Sequence, residues 1–134
     1  MSTLKVLFVC VENAGRSQMA EAFAKRHGIN AVSAGTQPST AIDQMVVIAM
    51  KEKGIAFSDA RPKALTSAMI EDADLVVTMG CSVEKVCPAP MIAKMQKKIL
   101  DWDLEDPKGK SVQVVRQIRD EIERKVTELV GNNP

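Results

Sequence analysis

The 134-residue sequence predicts an α/β fold, a small parallel sheet of four strands with helices on both faces, in a single domain spanning 1–134. Two observations carry this reading. The runs "LKVLFV" and "DLVVTM" are continuously apolar rather than alternating, as expected of strands buried on both faces of a parallel sheet. The stretches between and after them carry apolar residues at helical spacing, and strands alternating with helices in this order close a parallel sheet through right-handed crossovers. The length suits one core, since a chain of this size buries somewhat over ~65% of its unfolded surface.

The elements follow in order. Leu4 to Val9 reads as the first strand. In "SQMAEAFAKRHG", Met19 and Phe23, and Ala20 and Ala24, lie four residues apart on one helical face, with Gly28 as the stop. Ala31 to Ser33 is a short second strand ended by Gly35 and Pro38. "STAIDQMVVIAMKEKG" places Ile42, Met45, Val46, Ala49 and Met50 at helical spacing, with Gly54 at its end. A short helix is expected from Ser67 to Asp72, a third strand from Asp74 to Met79, and a fourth from Lys98 to Trp102. "SVQVVRQIRDEIERKVTELVG" lines up Val112, Val115, Ile118, Ile122, Val126 and Leu129 on one face of a long terminal helix. Asp120 with Arg124, and Glu121 with Lys125, are expected to support it from the solvent side.

Composition narrows the function. A formal net charge of +1 supplies no general field for nucleic acid or anionic lipid, so neither is an expected partner and any bound anion needs a local site. The near-average hydrophobic content, without a long apolar run, reads as a soluble protein with no membrane association, and a monomer is expected. The start "MSTLKVLFVC" has no cleavage-like pattern of small residues, which makes the cytoplasm the expected location. In that reducing compartment three cysteines read as reactive or buried thiols rather than as a disulfide framework.

Ligands of such sheets bind beyond the carboxyl ends of the strands, where both Cys10 and Cys81 fall. A thiol is a useful nucleophile at neutral pH only as thiolate, and the connection from the first strand to the first helix offers a thiolate free backbone N–H groups, a helix's positive end and a nearby arginine. The amides of Val11, Glu12, Asn13, Ala14, Gly15 and Arg16 form a nest for a tetrahedral oxyanion, Arg16 can grip two oxygens, and Ser17 is placed to donate to the sulfur. Asn13 is expected to shape this loop through side-chain hydrogen bonds. Alone, Cys10 also suits a small buried residue at a strand end.

Cys10, Asn13, Arg16 and Ser17 within "FVCVENAGRSQMAEAF" resemble the phosphate-binding loop of low-molecular-weight tyrosine phosphatases and of the thioredoxin-coupled arsenate reductases built on that fold. "SQMAEAF" and the later "SAGT" lean toward the reductase branch. "DLVVTM", then paired cysteines, then "DWDLEDP" recur in the family's order, so the resemblance covers most of the chain. It implies the low-molecular-weight phosphatase-like fold. It also implies that Cys10 attacks arsenate, that Cys81 attacks the adduct to release arsenite and leave a Cys10–Cys81 disulfide, and that Cys87 then takes over Cys81 for reduction by thioredoxin. Phosphate and sulfate are the competing oxyanions, and no cofactor is expected to be tightly bound. Some relatives hold a potassium ion near residues matching Asn13 and Glu21.

Hydroxide leaves an adduct more easily when protonated, so a carboxylic acid is needed near the pocket. The resemblance names Asp106, ahead of Pro107; on sequence alone Asp101, Asp103 and Glu105 compete with it. Glu12 departs from the family pattern and is expected to face solvent, since an inward carboxylate would repel an anion. Trp102 is expected in the core, and His27 at a helix end without a chemical role. A zinc site would have to combine Cys81 and Cys87 with Cys10 and His27, a spacing unlike a zinc knuckle, and no metal is expected. Two rivals remain: a phosphatase, needing Cys10, Arg16 and Asp106 but neither Cys81 nor Cys87, and a non-catalytic thiol sensor of oxyanions. The sequence contains no tyrosine and few other aromatics to stack on a phosphotyrosine ring, which weighs against the first.

Overall fold

In a computed structural model, residues 5–57, 60–79, 99–102 and 104–131 are described. The elements are β1 (Lys5–Cys10), α1 (Arg16–Arg26), β2 (Asn30–Gly35), α2 (Gln44–Lys51), α3 (Ser67–Asp72), β3 (Leu75–Thr78), β4 (Ile99–Asp101) and α4 (Val112–Gly131). The strands form one parallel sheet in the order β2-β1-β3-β4. This is the predicted α/β architecture, with β1 and β3 as the inner, buried strands.

Alternation along β1 divides the core. Val6, Phe8 and Cys10 face a cluster that includes Met19 and Phe23 of α1, Val46 and Met50 of α2, and Val115, Ile122 and Val126 of α4. Leu7 and Val9 face the other side, against Ile70 of α3, Val76 and Ala34. Both faces are therefore covered, which is why β1 and β3 read as unbroken apolar runs. Trp102 is buried as expected, its ring 5.7 Å from that of Phe8 and tilted 44° to it.

Several boundaries shift for physical reasons. The second strand begins one residue before the expected Ala31 and ends two after the expected Ser33, running from Asn30 to Gly35, because every one of its residues pairs with β1 from Lys5 through Cys10. The second helix starts only after Asp43, whose carboxylate caps the Met45 N–H at 2.9 Å, so Ile42 is buried ahead of the helix rather than within it. Met45, expected on the apolar face, is exposed. The terminal helix keeps its apolar stripe, but its ion pairs differ from those expected. Arg124 binds Glu128 at 2.9 Å and Glu121 at 3.6 Å, while Asp120 is held by Arg119 at 2.8 Å. The one-turn spacing was compatible with several partners, and Arg119, buried against α2, captures Asp120 first. Among the described residues no helix is long and apolar enough to cross a membrane.

Candidate active site

Cys10 is the last residue of β1 and is buried, and Arg16 opens α1, so the loop 11–15 turns at the carboxyl edge of the sheet. Its shape is set by the segment that follows β2. The N–H groups of Thr36, Gln37, Ser39 and Asp43 donate to the carbonyls of Cys10, Val11, Glu12 and Ala14 at 3.2, 2.8, 3.0 and 3.0 Å. Across a planar trans peptide the carbonyl and the next N–H point in opposite directions. Carbonyls drawn outward therefore turn the N–H groups of Val11, Glu12, Asn13 and Gly15 inward. The Asn13 N–H lies 3.2 Å from Cys10 Sγ, as this requires.

Asn13 adopts φ 53°, a left-handed conformation that asparagine tolerates better than most residues. Its buried side chain knits the site together. Nδ2 donates to Ser17 Oγ at 2.7 Å, and Oδ1 accepts from the Lys63 N–H at 2.8 Å and from Gln18 Nε2 at 3.0 Å. Ser17 Oγ sits 2.8 Å from Cys10 Sγ. Because the asparagine amide already donates to that oxygen, the hydroxyl proton is left for the sulfur. Asn13 thus links the loop to Ser17, Gln18 and Lys63, and Ser17 Oγ lies within hydrogen-bond distance of the sulfur.

Arg16 is buried, and Nη1 donates to the Met79 carbonyl at 2.8 Å and the Leu104 carbonyl at 3.1 Å. These bonds fix the guanidinium plane between the end of β3 and the acidic loop, so little side-chain freedom is left to lose when an anion arrives. Nη2 lies 3.7 Å from Asp106 Oδ2. Cys10, Val11, Glu12, Ala14, Gly15, Arg16 and Asp106 share one cavity of about 170 Å³. That is below the ~300–1,000 Å³ of pockets for drug-sized ligands and suits a small ion.

Of the three acidic candidates among the described residues, Asp106 is the one that lines this cavity. Asp101 accepts from the Thr78 hydroxyl at 2.6 Å, Glu105 pairs with Lys110 at 3.6 Å, and Asp103 lies outside the described residues. The Asp106 loop is turned by the Lys108 N–H, which donates to Oδ1 at 3.0 Å, and by Pro107, which packs on Gly15 so closely that a Cβ there would come within 2.9 Å of the ring. Glu12 does not project freely into solvent. It lines the cavity and pairs with Lys108 at 3.0 Å, a contact that raises the Lys108 pKa and offsets the carboxylate's charge beside the cavity. His27 ends α1 in an exposed position, as expected.

Cys81 and Cys87 lie outside the described residues. Cys10 is a free thiol. Among the described residues no cluster of histidine, cysteine and acidic side chains has the makings of a metal site. Sequence reasoning gave Gln18, Gly35, Lys63 and Lys108 no part in the site. Gln18 and Gly35 stood inside the quoted "SQMAEAF" and "SAGT", whereas nothing in the sequence marks Lys63 or Lys108, which reach the loop only through the fold.

Residues 5–133 match the sequence pattern of the family "Low molecular weight phosphotyrosine protein phosphatase". The chain belongs to that family. This low-molecular-weight phosphatase-family chain is 35% identical over 130 residues to the glutaredoxin arsenate reductase of Synechocystis, a match covering 95% of this chain and 96% of the relative. Among solved structures it is similar to a thioredoxin-dependent arsenate reductase of Corynebacterium glutamicum, with 39% identity and a TM-score of 0.74 over 95% of this chain and 60% of the longer one. It is also similar to an arginine phosphatase of Geobacillus stearothermophilus, with 28% identity and a TM-score of 0.84 over 96% and 91% of the two chains.

Proposed function

We propose that this low-molecular-weight phosphatase-family protein reduces arsenate to arsenite through Cys10 and a relay of three cysteines, with thioredoxin as the external reductant. The observation that carries the reading is Cys10 Sγ held by the Ser17 hydroxyl at 2.8 Å in an anion-sized cavity that also contains Arg16 and Asp106, in a chain whose third strand leads into two further cysteines. Relatives named arsenate reductases, alike over nearly the whole chain, support it.

In the first step the Cys10 thiolate attacks arsenic(V), the inward loop N–H groups and Arg16 hold the oxygens, and Asp106 gives its proton to the departing hydroxide, which leaves as water. Cys81 then attacks Cys10 Sγ. A sulfur–sulfur bond forms, the sulfur–arsenic pair of electrons stays on arsenic, and arsenite leaves as arsenic(III). Cys87 displaces Cys10 from Cys81, and thioredoxin reduces the Cys81–Cys87 disulfide by thiol exchange. The electrons come from thiols, so the reaction needs no tightly bound cofactor, and it suits a monomer in a reducing cytoplasm. Phosphate and sulfate compete for the same nest.

Incubation with arsenate, thioredoxin, thioredoxin reductase and NADPH is expected to oxidise NADPH, and Cys10→Ser to abolish this. Cys81→Ser is expected to stop turnover while still forming the Cys10–arsenate adduct; unchanged multiple turnover in that variant would exclude the relay. A second reading is favoured by the cavity itself, because Cys10, Arg16 and Asp106 also suffice for phosphomonoester hydrolysis. Steady turnover of a small aryl phosphate with no arsenate-dependent thiol oxidation would establish it instead.

A further inference from the structure

The family resemblance associates Asn13 and Glu21 with a potassium ion, and the donor set around those residues argues against one here. Asn13 Oδ1 already accepts the Lys63 N–H and the Gln18 amide. Glu21 Oε1 accepts the Ser33 hydroxyl at 2.5 Å and faces the Lys63 ammonium at 3.6 Å, while its other oxygen takes Lys25 at 2.7 Å. The Lys63 ammonium stands where a cation would: 3.4 Å from the Arg61 carbonyl and 3.5 Å from Ser33 Oγ, beside Glu21. An oxygen cage already filled by the chain's own ammonium does not fit an added potassium ion.

We propose that Lys63 is a built-in cation for the anion loop, a positioning residue that holds Asn13, and through it Ser17 and Cys10, without potassium. The inference rests on reading 10–17 as an oxyanion loop. Two anchors place the lysine. Its carbonyl accepts the Gly35 N–H at 2.7 Å, which ties it to the end of β2, and its own N–H grips Asn13 at 2.8 Å. One residue thus joins the Glu21 carboxylate, whose side chain is only 14% exposed, to the asparagine that orders the nucleophile's hydrogen bonds. Without the ammonium, that mostly buried carboxylate keeps, among the described residues, only Lys25, 58% exposed, as its cation. A carboxylate left so poorly paired distorts its surroundings or recruits another cation. Glu21 and Lys63 both border a second cavity of about 730 Å³, which gives an ion from solvent a way in.

The test compares wild type, Lys63→Met and Lys63→Arg in potassium chloride and in choline chloride at equal ionic strength, reading inorganic phosphate binding by calorimetry and the melting temperature. Wild type and Lys63→Arg are expected to respond to the exchange of salts less than about twofold, and Lys63→Met to lose about tenfold in phosphate affinity in choline, the size typical of a supporting residue, and to recover in potassium. Potassium-dependent binding or melting in the wild type overturns the proposal, as does a Lys63→Met protein that matches wild type in choline or gains nothing from potassium. If Lys63→Met does not fold, the wild type decides: indifference to potassium supports the proposal and a response overturns it. Absence of phosphate binding in the wild type would instead count against the oxyanion loop, while the melting comparison still reports on Lys63.

Discussion

At Gly35 a missing methyl group makes room for the loop 11–15. A Cβ there would lie 2.6 Å from the Val11 carbonyl oxygen and 2.9 Å from the Asn13 nitrogen, both backbone atoms that no rotamer change can move aside. Gly35→Ala is therefore expected to push the loop off the end of β2, costing about 1–3 kcal/mol of stability in denaturant unfolding, and to weaken phosphate binding by more than its effect on folding explains. Binding at wild-type strength would show that the loop tolerates the displacement. The same close approach accounts for part of what the sequence disclosed. Cys10, Arg16 and Ser17 announce themselves because their spacing is local to one turn. Lys63 and Lys108 do not, since their partners Asn13 and Glu12 lie 50 and 96 positions away along the chain.

Helix α2 is tied to α4 by charge as well as by apolar packing. Arg116 of α4 grips Glu52, just past the end of α2, with contacts of 3.0, 3.0 and 2.6 Å, and Arg119 reaches Glu52 at 2.8 Å and the Ala49 carbonyl at 2.8 Å. The hydrogen bond from Arg116, then that from Arg119, lowers the Glu52 pKa from the usual 4.5 to about 2. The folded state thus holds this proton more weakly than the unfolded chain does. The stabilisation is complete above about pH 4.5 and is lost as pH falls toward about 2. Stability measured down that range is expected to fall less steeply in Glu52→Gln than in wild type, with the difference shrinking at high salt because the pair is solvent-accessible. Parallel pH profiles would remove Glu52 as a source of acid sensitivity. This tie was invisible in the chain's charge pattern, which suggested pairs within the helix, because a partner on another element competes on equal terms once the helices pack.

Across the whole molecule, the site depends on one sheet with both faces covered. Phe23 is fully buried in the cluster where α1 meets α4 and α2 beneath β1. Phe23→Ala is expected to cost about 3–5 kcal/mol by denaturant unfolding, a large share of the ~5–15 kcal/mol typical of a domain. Since α1 carries Arg16 and Ser17 at its start, loosening its base is expected to lower catalysis too; a stability loss below about 1 kcal/mol would show that the neighbouring Met19 and Ile122 refill the space. Strand and helix identities were legible in the sequence because burial on one or both sides imprints a short-range period, and the family's loop was legible because its chemistry fits within eight consecutive residues, Cys10 to Ser17. What only the tertiary structure decided is which distant groups complete that loop: the carbonyl clamps from Thr36 to Asp43, Asp106 rather than Asp101 or Glu105 at the cavity, Lys108 against Glu12, and Lys63 beside Glu21. Local periodicity reports which side of an element is buried, whereas a polar contact between distant segments is set by how crossovers bring their ends together, and no spacing along the chain records it.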